Sequence, residues 1–462
     1  MIVAVVRKGL IVSLILLAGS VWPAVAVASE TTSPPEPHPF MVAPFAILLL
    51  AIAFMPFIHR HHWENHYPKV AIGLGLVTVL YYLVVLHNGP RMLDSMVEYA
   101  KFMALIGSLF VVAGGIHINM TGRSTPAVNT AMLAMGAILA NFIGTTGASM
   151  VLIRPFLRIN KYRIAPHHVV FFIFIVSNIG GVLTPIGDPP LFLGYLNGVP
   201  FFWLLKMPQV VLAWLICVGA LLALFFVLDT RNFNRHNVAP AHEPATVRHF
   251  EIKGARNFIW LVAIIGLVLL QKIAGSWGAV ASAVLMIGVA IVAHRFGDRD
   301  ARRENEFDFA PLREVGFLFA GVFATMVPAL DLLERHAVSL GITTSRQFFW
   351  GSGLLSGLLD NVPTYLNFLT AAFGLQHLSL GNPSHMQTML ADPLLWKYIV
   401  AVSLGSVFFG ACTYIGNGPN FMVKSIAESS GVKCPSFFGY IVRYTLPILI
   451  PLFALISWLF IR

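Results

Sequence analysis

Two carboxylates, Asp188 and Asp360, stand well inside long apolar segments of the chain. An acid kept in an apolar segment is costly, and it is therefore a candidate functional group. Lys and Arg occur only at the ends of these segments. Two acids without a basic partner suit a small cation, and burial allows a proton to compete with that cation for the charged carboxylate. The two residues therefore indicate cation binding linked to proton exchange.

Asp188 belongs to the stretch "SNIGGVLTPIGDPPLF", residues 177–192, which interrupts an apolar segment with glycines and prolines. Proline removes backbone donors and glycine permits unusual backbone angles, so we expect a helix to unwind here. Unwinding exposes carbonyl oxygens that bind cations, and it also leaves a helix N-terminus that attracts anions. The backbone alone is thus compatible with a substrate of either sign.

Hydroxyl and amide side chains in the same segments supply further oxygen ligands, which hard cations such as Na⁺ prefer. We predict that these side chains complete a polar shell around the two acids, with Asn178, Thr184 and Asn361 among its members. The other supporting members are Thr145, Thr146, Ser149, Ser177, Thr364, Thr413 and Asn417. A single Ser or Thr in a membrane more often bonds a neighbouring helix, so the prediction depends on the cluster.

The whole chain has the composition of a polytopic membrane protein: 57% of its 462 residues are hydrophobic and 11% are charged. Runs long enough to cross a bilayer, about 20 residues each, are 41–58, 69–86, 102–120, 201–228, 258–272, 277–293, 315–333 and 437–460. The net charge of +10 is spread over alternate loops, which argues against a nucleic-acid partner. By the positive-inside rule, loops 154–168, 229–257 and 294–314 are expected to be cytoplasmic.

The N-terminal segment, residues 1–28, has a short basic region, an apolar region and small residues before Ser29. This pattern is typical of a signal peptide and is equally compatible with an extra transmembrane helix. We expect an integral, multi-pass protein of a bacterial inner membrane.

The sequence contains an internal repeat, with "SNIGGVLTPIGDPP" at 177–190 matching "SVFFGACTYIGNGP" at 406–419. Two apolar runs with polar residues in the middle, 128–155 and 348–374, are predicted to be re-entrant hairpins, here the first and second hairpins. The runs 169–197 and 398–427 are predicted to be the first and second broken helices. Each repeat would have five crossings, one of them broken, plus a hairpin, so an all-α fold with two inverted repeats is expected.

The predicted domain limits follow from this repeat. Residues 29–228 would form the first transmembrane repeat, 229–257 a cytoplasmic linker, and 258–462 the second repeat.

These motifs resemble the ion-transporter superfamily that includes NhaD-type sodium/proton antiporters, arsenite permeases, and citrate and dicarboxylate carriers. "SNIGGVLTPIGD" (177–188) and "SGLLDNVP" (356–363) are most similar to the NhaD type. The resemblance implies that Asp188, Asn178, Thr184, Asp360 and Asn361 bind cation and proton. One difference is that NhaD-type antiporters also have Asp-Asn in the first hairpin, where this chain has "IGTTGAS" (143–149).

The function expected from the sequence is Na⁺ or Li⁺/H⁺ antiport in a bilayer, with the ions as substrates and without a cofactor. Na⁺-coupled symport of a di- or tricarboxylate is the alternative, and a channel or membrane-enzyme subunit is a third reading that the repeat disfavours. No Walker-type phosphate-binding loop occurs, so we expect a secondary transporter rather than an enzyme, with a homodimer as a possible frame.

Overall fold

The computed structural model describes residues 35–121, 125–235, 249–270, 275–305, 307–336, 341–358, 361–380 and 382–461. The first half of the chain contains the helices Ala43–Ile58, Arg60–Leu80, Gly89–Gly114, Pro126–Ile159, Pro166–Ile175, Pro189–Leu196, Trp203–Lys206 and Pro208–Arg235. The second half contains Asn257–Leu270, Gly275–Phe296, Arg299–Glu304, Ala310–Thr325, Val327–His336, Ser345–Leu358, Asn361–Gly374, Pro383–Ala391, Trp396–Phe409, Gly418–Ser429, Phe437–Tyr440 and Ile450–Phe460. Short 3₁₀ and π segments join several of these helices: Pro39–Val42, Tyr81–Val85, Ile179–Leu183, Gly410–Cys412 and Ile441–Leu449.

The protein is a helical, multi-pass membrane protein. Among the described residues, seven helices are long and apolar enough to cross a bilayer, or eight if one bent pair is counted as a single span. The bent pair, Ser384–Ala391 with Trp396–Cys412, turns by 94°, and its second helix is the first part of the second broken helix. The fold class is thus confirmed at the level of a predominantly helical polytopic architecture, whereas inversion of the repeat stays a prediction.

The first hairpin is the helical element Pro126–Ile159, which changes direction at Gly144. Gly144 has φ 77° and ψ 156°, a conformation that side chains with a Cβ rarely adopt. Near the two ends of the element, the amides of Asn129 and Asn160 exchange two hydrogen bonds of 2.8 Å. In an unbroken helix these residues would be about 46 Å apart, so the chain turns back on itself at Gly144.

The second hairpin consists of helices Ser345–Leu358 and Asn361–Gly374, and these two helices also pack side by side. The rings of Phe348 and Phe368, twenty positions apart in the sequence, have centroids 6.1 Å apart. A Cβ added to Gly351 would lie 2.8 Å from the Phe368 ring. The connecting residues 359–360, and with them Asp360, lie outside the described residues.

Both broken helices unwind at the predicted positions, and glycine permits the close approach of the backbone there. A Cβ on Gly187 would lie 1.9 Å from the carbonyl oxygen of Gly181, and one on Gly416 would lie 2.7 Å from that of Gly410. These two glycine pairs are the pairs that the sequence repeat aligns. The breaks therefore have the same local construction in both halves.

A short antiparallel ribbon is the exception to the expected all-α fold. Strands β1, His117–Thr121, and β2, His249–Lys253, pair with His117 opposite Lys253. The run 102–120 is therefore not one span, because its helix begins at Gly89 and ends at Gly114. The next residue, Gly115, caps the helix, and a Cβ there would lie 2.0 Å from the side-chain amide nitrogen of Asn257.

The hairpins and broken helices form the interior of the molecule. Inside the apolar windows of these segments, 72% of residues are buried in Pro126–Ile159 and 89% in Pro166–Leu183. The corresponding shares are 22% in Asn65–Val85 and 28% in Phe437–Phe460. The latter helices thus leave most of their apolar surface for lipid, while the interrupted elements are enclosed by protein.

Candidate functional site

The two hairpins and the two broken helices meet at Asp188, whose side chain is completely buried. Thr145 in the first hairpin donates a hydrogen bond of 2.8 Å to Asp188 Oδ1. Asn417 in the second broken helix donates to the same oxygen at 3.0 Å, and Asn361 in the second hairpin donates to Oδ2 at 2.6 Å. Residues from all four elements, and from both halves of the chain, thus converge on one carboxylate.

Asp188 and Asn417 occupy corresponding places, each directly before the second part of its broken helix. Asp188 precedes helix Pro189–Leu196 and Asn417 precedes helix Gly418–Ser429, both with extended backbone angles. In the described structure neither side chain caps its own helix. The two side chains instead bond each other, which places both helix N-termini next to one carboxylate.

A threonine anchors each break to the neighbouring hairpin in the same way. Thr184 Oγ1 donates to the carbonyl of Asn141 at 2.6 Å, and Thr413 Oγ1 donates to that of Gly357 at 2.7 Å. Each hydroxyl also accepts a backbone N–H three residues later at 3.1 Å. Thr184 and Thr413 therefore fix the shape of the breaks, and the described contacts place their hydroxyls on backbone atoms rather than on Asp188.

The tips of the two hairpins correspond when residues are counted from Asn141 and Gly357, whose carbonyls accept the threonine hydrogen bonds. Thr145 follows Asn141 by four positions, as Asn361 follows Gly357, and both Thr145 and Asn361 bond Asp188. One position earlier, the first hairpin has Gly144 where the second has Asp360. The acid that the first hairpin lacks thus corresponds to the glycine at which that hairpin turns.

The site has a negative side chain surrounded by neutral donors and a buried acceptor. Thr145, Asn361 and Asn417 all donate to Asp188, so each oxygen of this carboxylate accepts at least one hydrogen bond from a neutral group. Within the described part of the chain, Asn361 Oδ1 is buried without a hydrogen-bond partner. A buried acceptor left in this state is costly unless something pairs with it. A cation would be compatible with both the carboxylate and this amide oxygen.

The other predicted shell residues lie around this centre at different distances. Ser149 and Ser177 are buried and joined by a 2.8 Å hydrogen bond between their hydroxyls. Thr364 is buried in the second hairpin. Thr146 lies beyond Thr145 and lines a cavity of about 30 Å³ at the hairpin tip, which also borders Pro189. This volume is enough for a water molecule next to the residues that flank Asp188.

Two asparagines that the sequence reasoning did not select hold the breaks together. In the first break, Asn141 donates to the carbonyl of Gly180 at 2.6 Å and accepts from the backbone of Leu183 at 3.0 Å. In the second, Asn420 donates at 2.8 Å to the carbonyls of both Gly410 and Thr413. The signal for both was an amide inside an apolar segment, the criterion that selected Asn178.

A second buried ionic cluster lies where the first hairpin begins and ends, on the side away from its tip. Asp229 is fully buried and accepts two hydrogen bonds from the guanidinium of Arg163 and one of 2.8 Å from Asn129. His168 Nε2 lies 3.0 Å from Asp229 Oδ1 and His167 Nε2 lies 3.9 Å from it. His167, His168 and Asp229 are spaced closely enough for a metal ion, but the guanidinium already pairs with the carboxylate. The cluster therefore favours a structural role, joining the hairpin to the end of helix Pro208–Arg235.

Comparison with known proteins places the chain among transport proteins. Residues 36–461 match a family model described as "Putative citrate transport". A curated relative, "46 kDa membrane protein" of Mycobacterium leprae (strain TN), is 26% identical over 333 residues, or 65% of this chain and 68% of that protein.

Proposed function

The chain belongs to the family described as "Putative citrate transport", and we propose that, as a transporter of this family, it exchanges Na⁺ or Li⁺ for protons. Asp188 and Asp360 would carry the exchange, because a cation and a proton compete for the same carboxylates. The observation that carries the proposal is the buried carboxylate of Asp188 at the meeting point of four interrupted elements.

The chemistry of the surrounding groups supports a small cation. The Asp188 carboxylate bonds the amide of Asn361, whose oxygen has no hydrogen-bond partner among the described residues. Both groups offer oxygen ligands suited to a hard cation. Asn178 and Asn417 would be adjacent supports of this site. A tricarboxylate substrate would instead bring several negative charges next to Asp188, with an unfavourable electrostatic energy.

Na⁺-coupled symport of a di- or tricarboxylate is the second candidate, and the family description favours it. The neutral tip of the first hairpin, with Gly144 where the second hairpin has Asp360, also suits an anion better than a second acid would. In this case the helix N-termini at Asp188 and Asn417 would face the carboxylate groups of the substrate.

Inverted membrane vesicles with a trapped pH-sensitive dye separate the two candidates. For an antiporter, added Na⁺ or Li⁺ dissipates a preformed pH gradient, and Asp188→Asn and Asp360→Asn each abolish the response. For a symporter, Na⁺ leaves the gradient intact and drives uptake of labelled citrate or succinate. Ser429→Ala, at the exposed end of helix Gly418–Ser429, is a control that keeps the wild-type response.

A further inference from the structure

Two histidines lie side by side where helix Ala43–Ile58 passes into helix Arg60–Leu80. His62 and His66 are four positions apart, and on a helix side chains at this spacing meet on one face. Their rings are stacked, with centroids 4.2 Å apart and planes inclined by 15°. His62 is exposed and His66 is half-buried. The pair lies at the beginning of the candidate span Asn65–Val85, and therefore near the boundary between membrane and water.

A hydrogen bond within the pair leaves one ring nitrogen of His66 for a ligand. Its Nδ1 lies 2.9 Å from the backbone carbonyl oxygen of His62. Because a carbonyl only accepts hydrogen bonds, Nδ1 carries the hydrogen, and the lone pair of the neutral ring is on Nε2. Metal-binding histidines commonly donate their second ring N–H to a backbone carbonyl, which fixes the orientation of the ring. His66 therefore already has the hydrogen bond that is typical of a metal ligand.

A third histidine lies one helical turn before this pair. His59 is exposed, directly precedes helix Arg60–Leu80 and is three positions from His62. In the described structure its ring does not cap the helix, so capping does not compete with a metal ion for this imidazole. Neutral imidazoles suit Zn²⁺, Ni²⁺ and Cu²⁺, whereas hard cations such as Mg²⁺ prefer oxygen ligands. The chemistry of this segment thus differs from that of the carboxylate and amide oxygens at Asp188.

We propose that His62 and His66 chelate a divalent transition-metal ion, with His59 placed to add a third ligand. The buried cluster around Asp229 is the competing location in the described part of the chain, but the guanidinium of Arg163 already pairs with its carboxylate. An ion bound by both rings joins successive turns of the folded helix. It should therefore also stabilise the native state, because it binds that state and not the unfolded chain.

Calorimetric titration with ZnCl₂ tests the proposal on the full-length protein in detergent, without a polyhistidine tag and with excess Mg²⁺ present. We expect the wild type to bind Zn²⁺ and to melt at a higher temperature with it. His62→Ala and His66→Ala should each weaken Zn²⁺ binding by about tenfold or more, since even loss of a hydrogen-bond partner of a ligand costs this much. Because His62 is exposed, His62→Ala should keep the wild-type melting temperature in the absence of metal.

Two further variants are matched controls. His61→Ala removes a histidine of the same segment, five positions before His66 and thus outside the spacing of three or four at which helical side chains meet. His167→Gln alters the buried cluster around Asp229. Both controls should bind Zn²⁺ as the wild type does. No Zn²⁺ binding by the wild type, unchanged binding in His62→Ala or His66→Ala, or an equal loss in either control would overturn the proposal.

Discussion

At the scale of single residues, the site depends on backbone atoms that approach so closely that only glycine fits. Gly181 and Gly187 in the first break, and Gly416 in the second, leave no room for a Cβ next to the facing backbone. The carbonyl of Gly187 in turn accepts the backbone N–H of Thr145 at 2.8 Å. The glycine pair thus holds Thr145 and Asp188 in hydrogen-bonding contact.

Gly187→Ala tests this dependence directly. The new Cβ would meet the carbonyl oxygen of Gly181 at 1.9 Å, and the backbone must move, at a cost of about 3 kcal/mol in unfolding free energy. Gly219→Ala is the control, because a Cβ there meets nothing within 4 Å and alanine is favoured in a helix by about 1 kcal/mol. Equal thermal stability of the two variants in detergent would contradict this role for Gly187.

At the scale of elements, the first hairpin is held at both ends. Its tip contacts Asp188 through Thr145. At its other end, Asn129 and Asn160 bond each other, and Asn129 also donates to Asp229, the ion-pair partner of Arg163. The ion cluster therefore determines where the hairpin begins, and the break of the first broken helix determines where its tip lies.

Asp229→Ala is expected to destabilise the protein strongly. Removing one partner of a buried ion pair leaves an uncompensated charge on Arg163, at a cost of about 3 to 5 kcal/mol. The comparison variant is Glu428→Gln, which removes a partly exposed pair with Lys424 and should cost about 0.5 kcal/mol or less. Unfolding in denaturant measures both, and similar losses would contradict the structural importance of the cluster.

The ribbon provides a prediction about pH. The hydrogen bond from Lys253, 2.6 Å long, holds the pKa of Glu304 below its ordinary value, with the nearby charge of Lys253 and of His117 acting in the same direction. A carboxyl whose pKa is lowered by folding contributes stability above its ordinary pKa, about 4.3, and loses that contribution as the pH falls through the folded value. Wild type should therefore be more stable than Glu304→Gln near pH 7, with a smaller difference near pH 3.5. A difference in melting temperature that does not change with pH would contradict this expectation.

Sequence patterns were sufficient to predict where the helices are interrupted, but not which side chains contact each other at the interruptions. The glycines and prolines of 177–190 and the polar tips of the hairpins are local signals, so they identified Asp188 and its neighbours. The partners of Asp188 come from residues up to 229 positions away, and no local rule specifies which amide end faces it. Strands β1 and β2 were missed for the same reason, because their pairing joins distant segments.

At the scale of the whole molecule, the two halves meet around a single charged residue. Asn361 and Asn417 of the second half bond Asp188 of the first, and Asn420 bonds Asn178. A relative movement of the two halves would change these contacts, as the proposed coupling of a bound ion to a conformational change requires. The inverted arrangement of the repeats remains a prediction, and so do the cytoplasmic linker and the dimer.

The pH dependence of Na⁺ affinity is the most direct test of competition at these carboxylates. In inverted vesicles, the half-saturating Na⁺ concentration should rise as the pH falls, by up to about tenfold per pH unit for one competing proton, while the maximal rate at saturating Na⁺ changes little. A half-saturating concentration independent of pH would contradict exchange of cation and proton at Asp188 and Asp360.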